Sequence, residues 1–222
     1  MHVSSTLRAL VLCGTVLATG AEANLLVNGS FESGNFNPPG NATMSLGVGS
    51  TAITGWIVSN DVVAWIGTGN PWGLSANDGA RFLDLTDYAT GAPFGGVSQV
   101  ISTVPGASYL LSFDLGSSTF WGRPDGITAS AAGTFATFTS PLSGTNNAWQ
   151  QVSMAFTALS GSTTVQLLGA SGIQYIGLDN ASVELVAAPI PEPGTWALML
   201  AGIASLGALR QRRVRAVTAA KG

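Results

Sequence analysis

The chain has 222 residues, 46% of them hydrophobic and only 9% charged, with 29 glycines and a formal net charge of −3. Residues 24–190 carry nine acids against two bases, a net charge of −7, and so few cations cannot neutralise a phosphate backbone, which excludes nucleic acid as a partner. The only histidine (His2), lysine (Lys221) and cysteine (Cys13) sit in the terminal segments, so the stretch between them can build no Ser-His-Asp, Cys-His or Ser-Lys nucleophile and no zinc site on His or Cys.

At the N-terminus Arg8 precedes the apolar run Ala9–Ala18, and Ala21-Glu22-Ala23 has the small-x-small pattern cut by signal peptidase. Residues 1–23 therefore read as a secretory signal peptide. Leu12 before Cys13 is too large for a lipoprotein cleavage site. The expected mature chain has no cysteine, and without disulfides its core must hold on its own.

Residues 24–188 have the size of one domain. Short β-branched or alternating runs between Gly, Pro, Asn and Ser clusters, with no sustained helical period, point to an all-β fold. The expected strands are 25–27, 53–59, 62–66, 80–85, 96–101, 108–115, 127–132, 134–139, 149–156, 163–168 and 175–186, with long loops over 34–52 and 117–126. In the run Ser108–Leu115, Tyr109, Leu111, Phe113 and Leu115 share one face while Ser112 and Asp114 share the other, as in a half-buried antiparallel strand. So many short strands suit a two-sheet jelly-roll β-sandwich.

Beyond the domain, Pro191 and Pro193 interrupt any arriving element, and Trp196–Leu209 carries no charge. As a helix of about 1.5 Å per residue this run spans roughly 21 Å, short of the ~30 Å hydrocarbon core, but Arg210, Arg212, Arg213 and Arg215 supply a positive flank that can snorkel. A C-terminal sorting segment is expected over residues 189–222, its transmembrane helix over Trp196–Leu209. Pro191-Glu192-Pro193, the apolar run and the arginine cluster together resemble the PEP-CTERM sorting signal of bacterial envelope proteins. That resemblance implies export, recognition of Pro191, Glu192 and Pro193 by an exosortase-type processing protease, residence in the inner membrane during sorting, and release to the cell surface or extracellular space. The bland alternative is a membrane anchor that is never cut.

The domain also has familiar ends. Asn24-Leu-Leu-Val-Asn-Gly-Ser-Phe-Glu-Ser-Gly34 resembles the opening strand of galactose-binding-like jelly rolls, and Ile176-Gly-Leu-Asp-Asn-Ala-Ser-Val-Glu-Leu185 resembles their closing strand. With Ile53-Thr-Gly-Trp56, Arg81-Phe-Leu-Asp-Leu85, the run Val97–Leu115, Trp149 and Phe156 between them, the order is similar to the choice-of-anchor C family, which is related to a plant cell-wall domain of unknown function. The resemblance implies a structural Ca²⁺ tying the first strand to the last through Glu32 and Asp179, a role that hard carboxylate ligands suit. Asp84 is a weaker contributor. The plain alternative is that Glu32 and Asp179 are ordinary turn and strand-end acids.

Three functions stay open. Polysaccharide binding needs exposed aromatic platforms beside polar groups. Phe120, Trp121, Arg123 and Asp125 in one expected loop are the leading candidates, followed by Trp72 and Tyr88. The second reading is a structural biofilm-matrix component without a glycan ligand. The third is a carboxylate-based glycan-cleaving enzyme, which needs paired carboxyls ~5–9 Å apart. Asp84 with Asp87, or Asp114 with Asp125, are the pairs available. Acids at turns more often bond their own backbone, so no catalytic residue is assigned.

Overall fold

The computed structural model describes residues 23–118, 125–140, 148–186, 194 and 198–206. The chain divides into a unit ending at Leu185 and a second beginning at Val186. Among the described residues of the first, eleven strands form an antiparallel jelly-roll sandwich: β1 (Thr43–Leu46), β2 (Ile57–Ser59), β3 (Val63–Gly67), β4 (Arg81–Asp84), β5 (Gly96–Ser102), β6 (Ser108–Ser117), β7 (Asp125–Ala131), β8 (Thr134–Ser140), β9 (Ala148–Thr157), β10 (Ser162–Ser171) and β11 (Gly177–Leu185). The six-stranded sheet runs β1-β3-β4-β11-β6-β9 and the five-stranded sheet β2-β5-β10-β7-β8.

Alternation along the strands puts one face of each sheet into the shared core. Trp65, Leu83, Leu111, Phe113, Leu115 and Val183 from the first sheet meet Val97, Ile127, Ala129, Val165 and Leu167 from the second. The β7–β8 hairpin turns through Ala132 and Gly133, both at positive φ, the conformation a two-residue hairpin demands.

Three features depart from the sequence expectation. The segment 34–52 is not one long loop, because Thr43–Leu46 pairs with β3 as the edge strand β1. Residues 25–27 form no strand. Instead Asn24–Ser33 folds as a turn against the bulge in β11: Asn24 Nδ2 donates to Ala181 O at 3.1 Å, Ala181 N to Gly29 O at 2.8 Å and Leu25 N to Val183 O at 2.8 Å. The indole N–H groups of Trp56 and Trp65 then donate to the carbonyls of Asn28 and Phe31, each at 3.0 Å, which fixes this turn to the core. Finally, Asp114 does not face water, since residues 68–80 cover the outer face of the six-stranded sheet and bury it.

In the second unit residues 198–206 are helical with every side chain exposed. Among the described residues no helix is long and apolar enough to cross a membrane. Pro191, Glu192, Pro193, Arg210, Arg212 and Arg213 lie outside the described residues, as do residues 1–22 of the expected signal peptide.

Candidate functional site

Strand β4 sets up the site. Leu83 and Leu85 enter the main core, so Phe82 and Asp84 point to the opposite, outer face. There Phe82 joins Ala64, Ile66, Leu74 and Tyr175 in a second apolar cluster, capped by the half-buried Trp72, Tyr88 and Trp149. Phe82 meets Trp149 edge-on at 5.7 Å and Tyr175 at 6.3 Å between ring centroids. This layer is the floor on which three loops converge.

The β3–β4 loop is folded by Asn70. Its Oδ1 accepts from Trp72 N at 3.2 Å and Leu74 N at 3.1 Å, while its Nδ2 donates to Gly67 O and Leu74 O. That side-chain bonding to neighbouring backbone makes a turn that projects Trp72. The β4–β5 loop is folded by Asp84, whose Oδ1 accepts from Thr86 N and Thr86 Oγ1, each at 2.9 Å. Thr86 Oγ1 in turn accepts from Tyr88 N at 3.1 Å. The β10–β11 loop joins through Ile176 N, which donates to Asp84 Oδ1 at 2.9 Å, and Gln174 N, which donates to Ala89 O at 2.8 Å.

Trp72 and Tyr88 come together from separate loops with ring centroids 5.0 Å apart. With Leu74 and Gln174 they line a pocket of about 250 Å³. Asp87, Tyr88 and Gln174 all hold positive φ (46°, 68° and 63°), a region costly for residues with a Cβ, and such strain persists only where surrounding bonds impose it. Burial pushes the Tyr88 hydroxyl up to about 12, so it remains a neutral donor. Burial also lifts Asp84 to about 6 against the opposing hydrogen bonds from Thr86 and Ile176.

The remaining candidates fall elsewhere. Asp125, expected in an exposed loop, is the first residue of β7 and is buried. Phe120, Trp121 and Arg123 lie outside the described residues. Asp87, proposed with Asp84 as a catalytic pair, accepts a hydrogen bond from Ser45 Oγ at 2.7 Å, whereas Asp84 has no exposed surface.

Glu32 and Asp179 both hold the segment Asn77–Arg81. Asp179 Oδ2 accepts from Asn77 N at 2.7 Å and Asp78 N at 2.8 Å, and Oδ1 accepts from Asn180 N at 2.7 Å. Glu32 Oε1 accepts from Ala80 N and Arg81 N at 2.8 and 2.6 Å, while Arg81 donates to the Glu32 carbonyl and sits 3.7 Å from Oε2. Burial, and secondarily the Asp114 charge, raises Asp179 to about 7 despite its N–H partners. As they stand these residues do not fit a calcium ion: both carboxylates already face N–H donors and Arg81 carries the positive charge. Among the described residues no group of three or more His, Cys, Asp or Glu side chains is placed to hold a metal.

A second hollow, about 540 Å³, lies on the outer face of the five-stranded sheet, where Phe135 and Leu159 stand beside Ser130, Thr164 and Gln166. In the expected strand 134–139, Phe135 and Phe138 have opposite parity and cannot both face the core. Phe138 packs edge-on against Phe113 at 5.6 Å, so Phe135 must face outward, and it is 75% exposed.

Residues 24–173 match the family described as protein of unknown function (DUF642), and residues 189–213 match the PEP-CTERM protein-sorting motif. The chain belongs to the DUF642 family and carries at its C-terminus a sorting motif associated with export. No curated protein matches it. Similar solved structures include a CBM4 structure (17% identity, 72% of this chain and 99% of that one, TM-score 0.42). Another is a family 35 carbohydrate binding module from Clostridium thermocellum (13%, 63% and 97%, TM-score 0.43). A third is TmCBM61 in complex with beta-1,4-galactotriose (17%, 74% and 99%, TM-score 0.43).

Proposed function

We propose that this DUF642 protein is exported, processed through its PEP-CTERM motif by an exosortase-type protease, and binds a polysaccharide non-catalytically at the cell surface or in the extracellular matrix. The observation that carries the binding reading is the meeting of Trp72 and Tyr88 at the pocket they share with Gln174. Aromatic faces cover the apolar side of a sugar ring, and the exposed amide of Gln174 supplies hydrogen bonds to its hydroxyls, while the Tyr88 hydroxyl is buried and leaves only its ring to the pocket. A non-catalytic role is supported by the burial of Asp84, which is sealed beneath the loops and whose bonds fold them.

Retention on a panel of insoluble and soluble polysaccharides tests this. The wild type is expected to be held by one class, with Trp72→Ala weakening retention at least about tenfold, or roughly 1.4 kcal/mol. No retention on any polysaccharide, or equal retention by Trp72→Ala and Tyr88→Ala, rejects the site, and sugar release that depends on Asp84 or Asp125 supports the enzymatic alternative. Sorting is tested by the intact mass of protein from its host. Replacing Pro191, Glu192 and Pro193 with alanine is expected to leave the C-terminal segment attached, and equal masses with and without the replacement reject processing.

A further inference from the structure

From Gly126 to Leu178 the chain has no charged residue, a run of 53 positions that contains all of β8, β9 and β10 and all of β7 after its buried first residue. The acids and both bases of the exported segment lie outside it. Two of these uncharged strands, β8 and β9, end their sheets, and they lie on the same side of the sandwich, one over the other.

That side differs from the opposite one. There the sheets end in β1, with four residues, and β2, with three, the short edges by which native proteins avoid pairing with other chains. β8 keeps unbroken register with β7 over seven residues and β9 with β6 over ten. Neither has a proline, a charge or a bulge, and no described strand pairs with the second edge of either. Phe135, Thr137, Gln151 and Ser153 are exposed along them.

We propose that β8 and β9 form the interface through which two copies of this chain associate, β8 pairing antiparallel with its counterpart about a two-fold axis perpendicular to the sheet. Unpaired backbone N–H and C=O groups at an edge are satisfied by another strand. An antiparallel pairing of identical edges is self-complementary and closes at two copies. The same axis keeps each sheet in its own layer, so β9 meets β9. Length selects this side: residues 33–60, which hold β1 and β2, are also without charge, but those edges offer four and three residues against the seven and ten of β8 and β9, while the charged faces of a domain with nine acids and two bases repel their copies.

The test is sedimentation of the exported, processed protein over about a hundredfold range of concentration. The wild type is expected to shift from monomer to dimer. Thr137→Lys combined with Gln151→Lys places a lysine on each edge and is expected to stay monomeric with an unchanged melting temperature, while Ile57→Lys on the opposite side dimerises normally. Should the lysine variant melt early, single cysteines at Phe135, Thr137 and Thr139 replace it, at least one of which is expected to give a covalent dimer on mild oxidation. A wild type monomeric throughout, a lysine variant that still dimerises, no cross-link at any of the three cysteines, or a mass doubling that requires added polysaccharide overturns the proposal.

Discussion

Asp84 and Ile176 stand 92 positions apart and are joined by a 2.9 Å hydrogen bond from the Ile176 N–H to the Asp84 carboxylate. That carboxylate also folds the loop that ends in Tyr88, so one buried acid positions two walls of the Trp72–Tyr88 pocket. Pocket geometry and stability therefore depend on the same group.

The pH dependence follows from that burial. Asp84 is raised to about 6 in the folded chain, against about 3.9 for an unfolded aspartate. Between these values the folded state holds more protons than the unfolded one, so the stability owed to Asp84 falls as pH rises from about 4 to about 6, and Asp179, raised to about 7, carries the decline on to about pH 7. The full change from Asp84 is about 3 kcal/mol. Thermal melts at closely spaced pH values should show the decline, and Asp84→Asn, which keeps an acceptor for Ile176 and Thr86, should remove the share of Asp84 and leave that of Asp179. Asp84→Ala should lower stability by roughly 2–4 kcal/mol near pH 4, because it leaves those buried donors unsatisfied, and by less above pH 6, where the wild type has lost the share that Asp84 contributes when protonated.

The donors around Glu32 and Asp179 predict the effect of metal removal. With five backbone N–H groups and Arg81 facing the two carboxylates, the segment Asn77–Arg81 is held without an ion. A chelator should leave the melting temperature unchanged and added Ca²⁺ should not raise it, whereas Glu32→Ala should cost roughly 1–3 kcal/mol. A fall in melting temperature on chelation would restore the calcium clip that the family resemblance implies.

Strand periodicity made much of the sandwich legible: the run Ser108–Leu115 alternates so cleanly that its core face can be read directly, and it became the centre of β6. The turn Asn24–Ser33 was not legible, because Leu25-Leu26-Val27 has strand composition while its backbone is bent by contacts with Ala181 and Val183, more than 150 residues away. Trp72 and Tyr88 could be nominated separately from their turn-rich surroundings. Their meeting depends on Asn70 and Asp84, short polar residues that look like any other turn former until their partners are seen. The burial of Asp125 was likewise hidden, since a single residue after Pro124 carries no periodicity.

Gly29 offers a sharp test of the folded opening turn. A Cβ there would stand 1.8 Å from the carbonyl oxygen of Ala181, a backbone atom that cannot move aside without breaking the contact to β11. Gly29→Ala should therefore cost more than about 3 kcal/mol, beyond the range of ordinary surface substitutions. Denaturant unfolding measures this, and a neutral result would show that residues 24–33 do not close against β11.

Gln174 separates binding from folding. At φ 63° its side chain is strained, and glycine relieves that strain while adding unfolded-state entropy, two effects of about 1 kcal/mol and opposite sign. Gln174→Gly should therefore melt within about 2 °C of the wild type. If the amide hydrogen-bonds a glycan hydroxyl, the same substitution should weaken polysaccharide retention about five- to tenfold, a loss of roughly 1 kcal/mol. Tyr88→Phe removes a hydroxyl that is buried and keeps the ring, so it should leave retention as in the wild type. Titration calorimetry of Gln174→Gly and Trp72→Ala beside Trp121→Ala locates the site: losses at Gln174 and Trp72 with wild-type affinity for Trp121→Ala place the glycan at this pocket, and the reverse pattern moves it to the segment 120–125.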